Sequence, residues 1–325
     1  MTISAVVPVW NGRELVDRLL TSLEAQTLPA TELLIVDNGS TDGAPELARQ
    51  RGARIISMGT NAGFAAAVNR GICEARGEWI AVLNTDVELA PDYFALLTQA
   101  KSWFATGKIL VGPQPSTTID VTFDAVCRGG TPWRVGNGRP DGPFFDQSRE
   151  ITSPPWTAAL FRAELFRRVG TLDESFESYL EDVDFGLRCA ANQLSGSYIP
   201  SAKAWHLGSA TLGRWHADTV RRISRNQLYL IARHFSPQLR RQCLWQIVVA
   251  HTLWGALAVR HGAGFAWLRG KFEGLRSFRS VRSQAVPGLL AHLRDNESII
   301  RTAQSRLGFD TYWRLYFFLV RTPRP

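Results

Sequence analysis

The chain opens on an apolar run, Ile3–Val9, broken only by Ser4. A run of this length without polar alternation suits a central strand covered on both faces. Leu15, Leu19, Leu20 and Leu23 then recur at helical spacing. The same reading predicts a strand at Glu32–Asp37, a short helix at Ala44–Arg51 and a strand at Ala53–Ser57. A helix at Phe64–Ala75 and a strand at Trp79–Leu83 follow, and Pro91 marks the start of another helix. Strands alternating with helices predict an α/β fold with a doubly wound sheet. Ligands of such sheets gather at the carboxyl ends of the strands. The candidate ligand positions are therefore Pro8–Asn11, Asp37–Asp42, Asn61–Gly63 and Asn84–Asp86.

Later segments read less clearly. Residues 114–157 hold Gly129, Gly130, Trp133, Gly136, Phe144 and Phe145 without periodicity, which predicts a long loop or an irregular hairpin. A strand is expected at Ser197–Ile199, and the C-terminal part is expected to be helical. Gln242–Val259 carries no Lys, Arg, Asp or Glu, but Gln242, Gln246, His251 and Thr252 make it a poor membrane-spanning helix.

Length and charge refine this picture. A chain of 325 residues has room for one large domain or two. Residues 1–202 carry 17 Lys and Arg against 24 Asp and Glu, whereas residues 203–325 carry 20 against 5. An acidic first part and a strongly basic last part imply two units with different partners. The N-terminus has no basic region before its apolar run, so no signal peptide is expected. Cys73, Cys127, Cys189 and Cys243 form no CxxC pair, which suits reduced thiols in a cytoplasmic compartment. Arg269, Lys271, Arg276, Arg279 and Arg282 alternate with Trp267, Phe272 and Phe278, and an aromatic cluster follows at Tyr312–Phe318. Basic residues among large aromatics suit an anionic membrane surface. The alternative is a solvated face on a helical subdomain. Nucleic-acid binding fits the charge, but no motif supports it.

Four stretches carry candidate chemistry. Asp37 and Asn38 end a strand, where a carboxylate can accept hydrogen bonds from a nucleobase imide or a ribose hydroxyl; an ordinary Asx-turn fits equally. Asn61–Asn69 opens a helix with small residues around Gly63, which suits either phosphate approach or tight packing. Asn84, Thr85 and Asp86 follow an apolar strand, and Asp86 could hold a divalent cation against a diphosphate or cap a turn. Glu181, Asp182 and Asp184 crowd three carboxylates into four positions before an apolar helix. Burying them requires a compensating cation or proton, although acids also suit a helix's first turn.

Taken together, Pro8–Gly12, Val36–Asp42, Asn61–Phe64, Leu83–Asp86, Phe166–Gly170, Leu172–Phe176 and Glu181–Asp184 resemble the inverting family 2 glycosyltransferases of GT-A fold, nearest their rhamnosyltransferase-like branch. The resemblance covers residues 1–235. It implies a nucleotide-sugar-binding domain over residues 1–210 and a basic helical region over residues 211–325. It implies that Asp182 is the general base, with Glu181 and Asp184 tuning or positioning it. Asp37 would contact the nucleoside, and Pro8, Trp10, Asn11, Asn38, Asn61, Gly63, Asn69, Asn84 and Thr85 would line the donor site. Asp86 and His206 would hold Mg2+ or Mn2+, with Asn84 standing where the family's metal motif has its first acid. Trp156 and Thr157 would face the acceptor, Thr157-Ala158 replacing a Gly-Ala pair, and Gly208-Ser209 would hinge over the diphosphate. The implied donor is a dTDP- or UDP-sugar, foremost dTDP-L-rhamnose. The implied acceptor is a glycan or polyprenyl-linked glycan of cell-envelope polysaccharide synthesis, met by a cytoplasmic enzyme peripheral on the inner membrane face. A non-catalytic nucleotide-sugar-binding or membrane-interaction protein on the same fold is the alternative.

Overall fold

The N-terminal apolar run forms strand β1 (Ile3–Val9), and the alternation of its side chains assigns the helices to the two sheet faces. Around it the chain lays down α1 (Arg13–Glu24), β2 (Glu32–Asp37), α2 (Ala44–Gln50), β3 (Arg54–Ser57), α3 (Phe64–Glu74), β4 (Trp79–Leu83), β5 (Val87–Leu89) and α4 (Tyr93–Leu97). Ala5, Val7 and Val9 share one buried cluster with Val16 and Leu19 of α1, Ala44 and Ala48 of α2, and Tyr93 and Phe94 of α4. Val6 points to the opposite face, where α3 crosses so closely that a Cβ on Gly71 would lie 2.2 Å from Val6 Cγ1.

This computed structural model describes residues 1–208, 215–282 and 288–320. Two compact units emerge: Met1–Phe123 with Gly136–Gly208, and Asp124–Val135 with the described part of Ser209–Pro325.

The chain continues through β6 (Phe104–Val111), β7 (Ile119–Val121), β8 (Asp124–Val126), β9 (Pro132–Arg134), β10 (Arg149–Ile151), β11 (Ala158–Arg162), α5 (Ala163–Val169), α6 (Glu181–Ala191) and β12 (Gly196–His206). The sheet of the first unit runs β10-β12-β6-β11-β4-β1-β2-β3, with β5 added to β12 and β7 to β6. Strands β3, β2, β1 and β4 are parallel, and β11 lies antiparallel between β4 and β6. Strand β12 is parallel to β6. Two reversals about β11 therefore point β6 and β12 the same way as β4, and the carboxyl ends of β1, β2, β4 and β12 share one edge. The mixed α/β sheet is the expected fold class. Strand β12 is much longer than the Ser197–Ile199 run implied.

The segment 114–157 does contain an irregular hairpin, β8–β9, but is more structured than a long loop. It contains four strands of three residues each and a 3-10 turn at Pro143–Phe145. Such strands are too short for alternation to register in the sequence. Lys108, fully buried in β6, holds the segment through Asp141 and Asp146 at 2.7 and 2.5 Å. The Tyr198 hydroxyl donates to the Phe145 carbonyl at 2.8 Å. Strands β8 and β9 pair only with each other and belong to the second unit.

That unit contains α7 (Ala217–His234), α8 (Pro237–Gln242), α9 (Leu244–Arg260), α10 (Gly264–Arg276), α11 (Leu289–Leu307) and α12 (Thr311–Leu319). The uncharged stretch 242–259 is divided at Cys243, where α8 ends and α9 begins. No helix among the described residues is long and apolar enough to cross a membrane. Two readings of the tail need correction. Trp313, Tyr316 and Phe317 of the aromatic cluster are buried core, with the Tyr316 hydroxyl donating to buried Glu297 at 2.6 Å. Lys271 is not a surface cation: its ammonium donates to Gln227 at 2.7 Å and contacts His251 Nδ1 at 3.0 Å. Burial pushes its pKa well down.

Packing at the centre of the first unit is tight enough to test. A Cβ on Gly107 would sit 2.2 Å from the Ala202 carbonyl oxygen and 2.6 Å from Tyr93 Cε2. Backbone cannot rotate away as a side chain can, so Gly107→Ala should cost ~1–3 kcal/mol of stability or more, the range for overpacked cores. Denaturant unfolding measures this, and an unchanged midpoint would show that β6 and β12 are not packed this closely.

Candidate functional site

The carboxyl ends of β1 and β2 form a shelf of interlocked Asx-turns. Asn11, held at φ 60°, accepts from Thr41 N at 2.8 Å, and its own N–H donates to Ser40 Oγ at 2.9 Å. Asp37 accepts from Ser40 N at 2.8 Å through Oδ1, and among the described residues its second oxygen takes no hydrogen bond. Asn38 bridges to the start of α3, donating to the Gly63 carbonyl and accepting from Ala62 N. Asn61 accepts from Gly63 N at 3.0 Å. The amides of Asn11, Asn38 and Asn61 thus build the loops that frame Asp37. Pro8 is half-buried at the end of β1, and Trp10 just beyond it is 47% exposed. An indole held open beside a carboxylate offers a face for stacking and an acceptor for hydrogen bonding.

The ends of β4 and β12 bring together residues 120 positions apart in the chain. Leu207 N donates to the Asp86 carbonyl, and His206 lies opposite Val87 in the ladder. His206 Nε2 then sits 3.2 Å from Asp86 Oδ1, and its Nδ1 sits 2.8 Å from Asp120 Oδ2. Burial alone would lower the histidine's pKa, but hydrogen bonds to Asp120 and Asp86 and their charges raise it to about 9. Asp120, on β7, was missed in the sequence because it falls in the segment without periodicity. Its carboxylate fixes the ring so that Nε2 faces Asp86, the arrangement by which an outer carboxylate orients a metal-binding histidine. Asn84, whose N–H donates to the Thr157 carbonyl at 2.9 Å, keeps a buried Oδ1 without a partner. Thr85 between them is half-buried.

Asp86 and His206 offer a small divalent cation one carboxylate and one oriented imidazole, and the unpaired amide oxygen of Asn84, two residues before Asp86, is of the same donor chemistry. Among the described residues no group of three His, Cys, Asp or Glu side chains is arranged to hold a metal ion. The protein alone would therefore leave coordination positions for phosphate oxygens or water.

The acidic stretch begins α6. Glu181 and Asp184 are buried, and Asp182 alone of the three is partly exposed. Asp184, 1% exposed, accepts from Arg188 Nε at 2.9 Å, and the same guanidinium donates to the carbonyls of Val169 and Thr171. Arg188, held in place by Asp184, therefore ties the helix to the end of α5 and the loop after it. The approach to α6 is unusual: Glu177, Tyr179 and Leu180 all have left-handed backbone, at φ 60°, 72° and 70°. Side chains disfavour this region, and several such residues together mark a bend held by its surroundings. Those surroundings are the start of α3. Ala65 N donates to the Glu177 carbonyl at 3.4 Å, and a Cβ on Gly63 would lie 3.2 Å from that oxygen.

Some expected contacts fall elsewhere. Trp156 is no sugar platform: it is 2% exposed, with Phe161, Phe166 and Phe185 around its ring. Thr157 is buried and offers its carbonyl to Asn84. Asn69 commits its amide to the loop before α6, donating to the Leu172 carbonyl and Glu174 while accepting from Leu172 N. Of the expected hinge, Gly208 has φ 64°, and Ser209 lies outside the described residues.

Comparison with known proteins identifies the family and the fold. The model of the family "Glycosyl transferase family 2" matches residues 4–170. The N-acetylglucosaminyl-diphospho-decaprenol L-rhamnosyltransferase of Mycobacterium tuberculosis is 31% identical over 275 residues, covering 75% of this chain and 86% of its own. The validoxylamine A glucosyltransferase of Streptomyces hygroscopicus is 27% identical over 273 residues, covering 75% of this chain and 63% of its own. Among solved structures, GalNAc-T7 with UDP, GalNAc and Mn2+ gives a TM-score of 0.63 at 14% identity, over 95% of this chain and 58% of that one. The mannosyltransferase from Pyrobaculum calidifontis with GDP-Man and Mn2+ gives 0.53 at 15% identity, over 98% and 84%. Both likenesses concern the GT-A fold.

The geometry separates the acids by what each does. Asp184→Asn removes the charge that holds Arg188 and should cost ~1–3 kcal/mol of stability, as for a hydrogen bond to a charged group. Asp182→Asn should stay within about 0.5 kcal/mol, as surface substitutions do. Equal losses in parallel unfolding experiments would overturn the separation.

Proposed function

The chain belongs to glycosyl transferase family 2 and is a glycosyltransferase, and on that premise we propose that it transfers L-rhamnose from dTDP-L-rhamnose to a hydroxyl of a polyprenyl-linked glycan, inverting the anomeric centre. The observation that carries the catalytic part is the placement of Asp182. It is the one acid of its cluster partly exposed to solvent, at a helix start whose approach is braced against the start of α3. The activity for which the Mycobacterium tuberculosis relative is named supports the sugar and the lipid-linked acceptor.

In this reading the nucleoside lies on the shelf at the ends of β1 and β2. Asp37 accepts a hydrogen bond from the base or ribose, and the exposed Trp10 ring supplies a stacking face. Asp86, His206 and Asn84 would hold Mg2+ or Mn2+. When bound, that ion offsets charge on the leaving diphosphate. Asp120 keeps the His206 ring in register. Asp182 takes the proton of the acceptor hydroxyl while the hydroxyl oxygen attacks the anomeric carbon from the face opposite the diphosphate. The new C–O bond forms as the bond to the diphosphate breaks, and its electron pair leaves with the diphosphate. A single displacement inverts the stereochemistry. Asp184 and Arg188 hold the helix that carries the base, and Asn69 holds the loop before it. A polyprenyl-linked acceptor supports a site of work at the inner face of the cell membrane, in cell-envelope polysaccharide synthesis.

Two measurements test this reading. Asp182→Asn keeps the shape of the base but cannot accept the proton, so turnover should fall by roughly 10²–10⁴-fold, the usual share of a general base. Donor affinity, read by calorimetry with dTDP-L-rhamnose, should hardly change. Near wild-type turnover would remove Asp182 from the mechanism. Asp86→Ala should weaken both Mn2+ binding and Mn2+-dependent binding of the nucleotide diphosphate, because phosphate charge loses its counter-ion. His206→Ala should do so more mildly. Nucleotide binding unaltered in Asp86→Ala, or indifferent to exhaustive chelation in the wild type, would show the metal assignment to be wrong.

A further inference from the structure

Helix α10 is packed inside out. Its small residues Ala266, Gly270 and Gly274 are buried. A Cβ on Gly270 would lie 2.2 Å from the Arg221 carbonyl oxygen, and one on Gly274 would lie 3.0 Å from that of Arg225. Only glycine allows α10 to lie this close to α7. The large side chains are turned the other way: Phe265 is 82% exposed, Leu268 56%, Phe272 67% and Leu275 63%. At 3.6 residues per turn these four fall within an arc of about 80°. An amphipathic helix of a protein in water alone keeps such residues inward, and a contiguous apolar face of this kind marks a surface that meets something else.

Charge decides what that partner is. From His261 to Arg282 the one acid is Glu273, which is paired with Arg221 and Arg269. Arg276, on the border of the apolar arc, and Arg279 and Arg282 beyond the helix are exposed. A second copy of the chain would carry the same basic excess and offer these arginines no complementary charge. An anionic bilayer surface answers both halves of the pattern, taking the apolar side chains among its acyl chains and the arginines among its phosphates. With no described helix able to cross a membrane, contact of this kind is in the plane of the surface.

We propose that α10 docks the protein on anionic phospholipid, Phe265, Leu268, Phe272 and Leu275 entering the interface and Arg276, Arg279 and Arg282 pairing with headgroup phosphates. This rests on the reading of the acceptor as lipid-linked and names the surface that would reach it. It also differs from a general attraction of the basic tail, because Lys271 takes no part and the apolar face carries the specificity.

The test uses the full chain and sedimentation with vesicles of phosphatidylglycerol and phosphatidylcholine, beside vesicles of phosphatidylcholine alone. The wild type should sediment with the anionic vesicles, and less as salt is raised, since exposed charge is screened over about 8 Å at physiological ionic strength. Phe265→Ser with Phe272→Ser should weaken this binding by roughly tenfold or more, given the apolar area withdrawn. Arg276→Gln, Arg279→Gln and Arg282→Gln together should do likewise and flatten the salt dependence. Melting temperature and solution mass should stay at wild-type values in both. Wild-type sedimentation of the double Phe variant overturns the proposal. So does a fall in its solution mass, which would make the face a contact between copies. Transfer assays separate this from the proposed reaction. If docking is right, the Phe variant keeps turnover on a short soluble acceptor and loses it on a lipid-linked one. If the wild type binds vesicles but transfers rhamnose to neither, docking stands and the assigned reaction fails.

Discussion

The backbone hydrogen bonding of β11 holds the first unit together in its working form. This strand runs against both of its neighbours, β4 and β6. It thereby joins four parallel strands to a second parallel pair, and both groups end on the same edge. Asp86 leaves β4 there and His206 ends β12 there, close enough to meet at 3.2 Å. Ala158 and Ala159 keep the strand slim, which lets the Tyr93 hydroxyl reach the Ala158 carbonyl from below. One residue earlier, Thr157 receives the N–H of Asn84. With only one of its two reversals, the acid after β4 and the histidine of β12 would lie at opposite edges of the sheet.

Much of this was legible from residue order. Strands β1, β2 and β4 are largely apolar runs because both faces are covered, and a run of that kind leaves few other readings. The positions following them were legible for the same reason, since topology places ligands at those ends. The roles of single side chains were harder to read. Asn38, Asn61 and Asn69 satisfy loop backbone, a task that an amide performs as readily as it binds a ligand. Trp156 suits a sugar or a core equally by composition, and only its three phenylalanine neighbours decide. Asp120 carried no signal at all. Its meaning comes from a partner 86 positions away, reached through strands too short to show a pattern.

The second unit shows the limit of counting charges. Its excess of basic residues is real, but the cations differ in kind. Arg128 is bound to buried Glu297, and Arg221 is shared between Asp218 and Glu273. Lys271 belongs to an internal polar cluster with Gln227 and His251. Others stay outside, among them Arg241 and Arg260 before α10 and a run on and after it. The sequence pattern there mixes glycine, phenylalanine and arginine without stating which face is inner, because the usual rule that large apolar residues point inward fails when glycine permits closer packing on the other side.

The left-handed bend at Glu177, Tyr179 and Leu180 has a consequence for how the chain can vary in length. Each residue of an α-helix turns its side chain by about 100° relative to the one before. The bend sets where the first turn of α6 begins, and the hydrogen bonds of Arg188 to the Val169 and Thr171 carbonyls lock that phase from the other side. A single residue inserted or deleted between Phe176 and Glu181 would leave composition and charge nearly unchanged, yet force either the bend or these hydrogen bonds to give way and turn Asp182 with its helix to face another direction. Length in this bend is thus held as strictly as identity is at Asp182, whereas the surface turns of the same unit face no such demand.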